Sequence, residues 1–163
     1  MIRWTCVLGL AASLIVGCAR ESADELFSKG AAAAHKQATY PQAEVHLRKF
    51  LDFYPDDPRA DLALHGLARV QLNRHKFDEA VGTYETLVRR FPESRYADQA
   101  QFMIGYAYDL QGKFEKAREA YQKVIDMFPK SELNDDATIS IRNLGKSPED
   151  WFPVDSTSAA GGN

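Results

Sequence analysis

Apolar residues recur along this chain with a helical beat. Between Phe114 and Phe128 they stand at Phe114, Ala117, Tyr121, Val124, Ile125 and Phe128, and charged or amide residues fill the gaps at Glu115, Lys116, Arg118, Glu119, Gln122, Lys123 and Asp126. Spacing of i, i+3, i+4, i+7 gathers such residues on one face of a 3.6-residue helix, so the segment is expected to be helical with that face buried. The same stripe runs through Phe77, Ala80, Val81, Tyr84, Leu87, Val88 and Phe91, and again through Tyr40, Ala43, Leu47, Phe50, Leu51 and Tyr54. No stretch alternates persistently enough to demand a strand.

The stripes are copies of one unit. At a shift of 37 residues, Arg59-Ala60-Asp61-Leu62-Ala63 recurs as Tyr96-Ala97-Asp98-Gln99-Ala100, and Phe91-Pro92-Glu93-Ser94 recurs as Phe128-Pro129-Lys130-Ser131. A weaker early copy keeps Ala23-Asp24, Tyr40, Ala43, Leu47 and Tyr54-Pro55, and a partial fourth begins at Asn134-Asp135-Asp136-Ala137. Such self-similarity marks a stack of units that share one core. Each unit carries its own punctuation. Pro55, Pro92 and Pro129 close a second helix, because proline neither donates to the preceding turn nor continues it. Two residues later Asp57, Ser94 and Ser131 offer side-chain oxygens to the amides of the next helix. Ser22 with Glu25 forms a capping box at the first helix. Asp78 and Glu79 open a helix that ends in Arg89 and Arg90, which complements the helix dipole.

These residues resemble the tetratricopeptide repeat. The pattern asks for a small residue in the first helix, met by Ala31, Ala68 and Gly105, and another twelve residues on, met by Ala43, Ala80 and Ala117. A large apolar residue follows at Leu47, Tyr84 and Tyr121, before the closing proline. The small pairs let two helices cross closely. The resemblance implies an all-α fold, a right-handed α-solenoid of three helix pairs at 23–57, 58–94 and 95–131. A C-terminal capping helix and end cap would follow at 132–152, and a disordered tail at 153–163. Trp151 and Phe152 read as end-cap packing or as a second docking site. The period is 37 rather than the common 34. This longer form is similar to envelope proteins of the family, namely outer-membrane assembly lipoproteins of the BamD type and the repeat domain of the Tol-Pal coordinator.

The first residues carry an address. Met1-Ile2-Arg3 is followed by an uncharged apolar run, Trp4 to Val16, too short for a bilayer core, which needs about 20 helical residues, but suited to a signal-peptide core at 1–17. Leu14-Ile15-Val16-Gly17-Cys18 resembles the bacterial lipoprotein box, in which Cys18 becomes a lipid-bearing N-terminus; the plainer reading leaves Cys18 a small apolar residue. Several acyl chains together anchor stably where one holds only marginally. Ala19, in place of an aspartate, favours the outer membrane and its periplasmic face by the same resemblance. With Cys6 leaving in the leader and Cys18 acylated, stability must come from packing rather than a disulfide. Within the short linker at 18–22 only Ala19-Arg20-Glu21 separates Cys18 from the Ser22 cap, a reach of roughly 10 Å, so the first repeat is expected against the lipid surface.

Composition narrows the function. Hydrophobic residues make up 45% and charged residues 26%, and the net charge of −3 without a basic run argues against nucleic acid. His35, His46, His65 and His75 include no i, i+4 pair of the kind that binds zinc on a helix. No Gly-rich phosphate loop or Gly-x-Ser-x-Gly is present. Asp56-Asp57 and Asp135-Asp136 fall at helix starts, where capping explains them. The expectation is therefore a non-catalytic protein with no cofactor, metal or small-molecule substrate, holding a protein partner and tethered to a membrane by its lipid.

Where the partner binds follows from the resemblance. The family's groove positions carry over to Glu25, Ser28, Ala32 and His35, then Leu62, His65, Arg69 and Leu72, then Gln99, Phe102, Tyr106 and Asp109. His65, Arg69, Phe102, Tyr106 and Asp109 are the candidate contacts. The helix holding Phe102, Met103, Ile104, Tyr106, Ala107 and Tyr108 is apolar nearly all round, so it is either sandwiched between neighbours or exposes an aromatic stripe.

Overall fold

The computed structural model describes residues 20–146. Among them are seven α-helices and no strand: α1 (Ala23–Ala33), α2 (Tyr40–Phe53), α3 (Ala60–Asn73), α4 (Phe77–Arg90), α5 (Ala97–Leu110), α6 (Phe114–Met127) and α7 (Asn134–Asn143), with a 3-10 turn at Gln37–Thr39. Helices α1–α6 pack as three consecutive hairpins, and α7 lies against α6. Cys18, Trp151, Phe152 and the tail lie outside the described residues.

Turn chemistry sets the hairpins. At the end of α3 the chain passes through the left-handed region at His75 (φ 58°), and after α5 through Gly112 (φ 67°). The amides of Lys76 and Lys113 then reach back 2.9 Å to the carbonyls of Gln71 and Tyr108, while those of His75 and Gly112 bond Leu72 and Asp109. This double closure satisfies the last helical carbonyls and reverses the chain in two residues. The first hairpin departs from that scheme. Ala38 stands where the other copies have His75 and Gly112, and alanine is disfavoured at positive φ. There α1 ends at Ala33, and Thr39 caps it, its hydroxyl donating to the carbonyls of Ala33 (2.7 Å) and Lys36 (2.9 Å). Pro41 then sits in the first turn of α2, where its missing N–H is no loss.

The links between repeats revise one expectation. Asp57, Ser94 and Ser131 do not cap α3, α5 and α7 directly. They accept from the amides of Arg59 (2.9 Å), Tyr96 (3.2 Å) and Leu133 (3.1 Å), the residues just before each helix. Closing that turn leaves the serine hydroxyls a proton to donate elsewhere. Ser94 donates to Asp61 and Ser131 to Asp98, both at 2.6 Å, joining each inter-repeat turn to the start of the preceding repeat's first helix. At the first junction both positions are aspartates, which cannot bond each other, and Arg59 bridges Asp57 and Asp24 at 2.8 Å to each. That guanidinium holds the Asp57 carboxyl at about 2, below its ordinary value, against the opposing effect of desolvation. The capping box is half made: Ser22 accepts from the amide of Glu25, but the Glu25 carboxylate turns to Lys29 instead.

Three buried clusters form the core. Leu26, Leu47 and Phe50 of the first repeat pack with Ala63 and Leu67 of α3. A central cluster runs from Leu64 and Ala68 through Val81, Tyr84 and Leu87 to Ile104 and Ala107, and a third joins Ala117, Tyr121 and Val124 to Ala137 of α7. Leu51 packs against both of the first two clusters, and Tyr108 against both of the last two. Close crossing is tightest at Gly105, where a Cβ would lie 2.6 Å from the Tyr121 ring. In the first repeat the close approach is at Gly30, 2.8 Å from Leu47, one residue before the Ala31 that the repeat pattern indicates.

Candidate protein-interaction face

The first helices α1, α3, α5 and α7 place their groove positions along one face, but the candidate residues do not converge on one spot. Phe102, Tyr106 and Asp109 come together in a hollow of about 330 Å³ between α5 and α7, completed by Asp136, Ile139, Ser140 and Asn143 over a floor of Tyr121. His65 and Arg69 line a second hollow of about 270 Å³ between α1 and α3, with Phe27, Ala31, Ala34, His35, Leu62 and Gly66 over Leu47. The two hollows are the same place in the solenoid, two repeats apart. Leu47 corresponds to Tyr121, His35 to Asp109, Leu62 to Asp136, Gly66 to Ser140 and Arg69 to Asn143. At the intervening position Met103 stands where the hollows have Gly66 and Ser140, and it packs on the central cluster.

The individual residues differ in what they offer. Tyr106 is 40% exposed and free to meet a partner. Phe102 is half-buried with its ring 5.0 Å from that of Tyr121, so it belongs to the third cluster and shows one edge to the hollow. Asp109 is half-buried; desolvation raises its pKa above the ordinary value, and among the described residues it has no ion-pair partner. Arg69 is exposed and likewise has no carboxylate within ion-pairing distance among the described residues. His65 departs from its expected role. It is 8% exposed, with its ring stacked on Tyr96 at 4.8 Å. Burial pushes its pKa down, and the Arg69 charge adds to that. Its neighbour Leu72 is also buried, because α3 packs between two hairpins. Helix α5 is sandwiched in the same way: Met103 and Tyr108 pack on the central cluster while Phe102 packs on the third.

Two features were missed in the sequence. Buried Glu44 on α2 accepts from Arg48 (2.9 Å), Lys76 (3.0 Å) and Arg74, and Arg48 also pairs with Glu79. Burial pushes the Glu44 carboxyl up, but the hydrogen bonds from Lys76 and Arg48 outweigh it and hold its pKa below the ordinary value. The signal was present: Glu44 occupies the repeat position that is apolar Val81 in the next copy. The second feature is the lead-in to α1. Arg20 stacks on Phe53 at 4.0 Å, Tyr54 donates to the Glu21 carbonyl at 2.8 Å, and the Glu21 carboxylate pairs with Lys29.

The comparisons agree with this architecture. Residues 65–132 match the family model described as Tetratricopeptide repeat. The described helices form an all-α solenoid consistent with tetratricopeptide repeats closed by a capping helix, and repeats of this kind serve as scaffolds for protein–protein contact. The match leaves out α1 and α2, the pair whose hairpin departs from the scheme of the other two. No curated protein matches the chain.

Proposed function

We propose that the protein is a non-catalytic scaffold, tethered to the periplasmic face of a bacterial outer membrane by a lipid on Cys18, that holds a protein partner during envelope assembly in the manner of BamD-type lipoproteins. The observation that carries the binding role is the pair of equivalent apolar hollows on the first-helix face, one of them rimmed by the exposed Tyr106 ring. Aromatic anchors at the edge of a pocket supply much of the energy of protein association. The tether is supported by the Leu14-Ile15-Val16-Gly17-Cys18 string, and by a lead-in whose Arg20 and Glu21 are packed on α2. Such packing favours a fixed attitude of the first repeat toward the lipid surface.

Labelling with radioactive palmitate tests the tether: wild type should take up label and Cys18→Ser should not. Tyr106→Ala tests the binding face better than a Phe102 variant, because Tyr106 touches solvent while Phe102 supports Tyr121. Pull-down from solubilised envelopes should lose its partner with Tyr106→Ala while helicity by circular dichroism is unchanged. Recovery of barrel-assembly components supports the reading given. Recovery of a secretin would instead indicate a pilotin-like helper, and recovery of cell-wall synthases a regulator of the Tol-Pal type.

A further inference from the structure

The two hollows match in shape and position but carry opposite charge. At the N-terminal one the rim cation is Arg69, exposed and without a carboxylate partner among the described residues. At the C-terminal one the rim groups are Asp109 and Asp136, also without cationic partners. The exchange falls on equivalent positions, with Asp109 replacing His35, Asp136 replacing Leu62, and Asn143 replacing Arg69. Unpaired charge of one sign beside each apolar hollow is what a binding face offers to a ligand of complementary order.

From this geometry we infer that the face receives an extended peptide segment that is bipolar: an apolar side chain beside an acidic residue seats at Arg69, and an apolar side chain beside a basic residue seats at Asp109 and Asp136. Packed helices lie roughly 10 Å apart, and repeats stacked at that pitch separate hollows two repeats apart by roughly 20 Å. An extended chain rises about 3.3 Å per residue, which puts the two apolar side chains about six positions apart. The partly desolvated Asp109 carboxylate gains most from a cation brought beside it. This inference rests on the first-helix face being the partner site.

The test uses full-length protein in detergent and three synthetic peptides of equal length. Each has two leucines about six positions apart with a charged residue beside each: one acidic and one basic, both acidic, or both basic. Wild type should bind the mixed peptide about tenfold more tightly than either like-charged peptide, the scale of one charge-assisted hydrogen bond. Arg69→Glu, a change at an exposed position, should turn the preference to the doubly basic peptide. Equal binding of all three, or a ranking untouched by Arg69→Glu, overturns the charge assignment while leaving the face as a peptide site. Binding of none of them overturns both.

Discussion

Repeat one meets repeat two through a buried charged cluster set beside its apolar contacts, whereas the same backbone positions between repeats two and three are filled by apolar packing. At the first junction Glu44 meets Arg48, Arg74 and Lys76, and the buried Gln71 beside them shares a 2.8 Å hydrogen bond with Thr83. One repeat later Glu44 becomes Val81 and Gln71 becomes Tyr108, and both pack on the central cluster. Lys113 and Lys116 lie over the Tyr108 ring at 6.0 and 5.6 Å. The difference teaches that the repeat pitch fixes which positions meet but not the chemistry that joins them. Val81 gains from leaving water in proportion to the area it buries. Glu44 must first overcome its desolvation, which it does only because three cations converge on it. The first junction is therefore held in part by groups that acid and salt can reach.

The largest effect should come from removing the central anion. Glu44→Ala leaves Arg48, Arg74 and Lys76 crowded without it, and should cost about 3 kcal/mol in urea unfolding. Val81→Ala at the second junction should cost about 2 kcal/mol, with no dependence on salt. A Glu44→Ala loss no greater than that of an exposed alanine substitution breaks the contrast.

Acid should separate the junctions next. A carboxyl whose folded pKa is depressed stabilises above its unfolded pKa, and that contribution is lost as pH falls through the folded one. For Glu44 the loss begins below the ordinary 4.5, and for Asp57 it runs from 3.8 to about 2. Both groups belong to the first junction. Hydrogen exchange in this range should therefore quicken in α1 and α2 before α5 and α6, and Glu44→Gln should shrink the gap.

A smaller effect lies in the two hairpin turns. His75→Gly relieves a left-handed histidine and should stabilise by about 1 kcal/mol, while the mirror change Gly112→His should destabilise by about as much, both read from thermal unfolding. The smallest effect concerns two tyrosines at one repeat position. Tyr121 lines the C-terminal hollow alongside Ser140, so Tyr121→Phe should cost no more than about 1 kcal/mol. The buried Tyr84 hydroxyl has no hydrogen-bond partner among the described residues, so Tyr84→Phe should be neutral or slightly stabilising.

Much of the fold was legible because its signals are local. The stripes at 40–54, 77–91 and 114–128 mark α2, α4 and α6, since a helix writes its period into contiguous sequence. Proline and the residues two beyond it mark each inter-repeat turn, though the side chains at those positions close the turn rather than the helix. The shortened α1 was not foreseen. Its cause is the lack at Ala38 of a residue that accepts positive φ, visible only once the other hairpins are known to need one. The site was less legible. Repeat register brought Phe102, Tyr106 and Asp109 to one hollow, but the same register also nominated His65, which Tyr96 covers from the next hairpin.

By itself the sequence determined seven helical segments, their pitch and the small-to-large crossings between them, because these depend on residues within a few turns of one another. Tertiary structure decided that Glu44 would be buried among cations, that His65 would be covered, and that two like-shaped hollows would face outward with opposite charge. Those outcomes turn on side chains some 30 or more residues apart meeting across a packed interface, where burial and pairing are set by neighbours that no local pattern names.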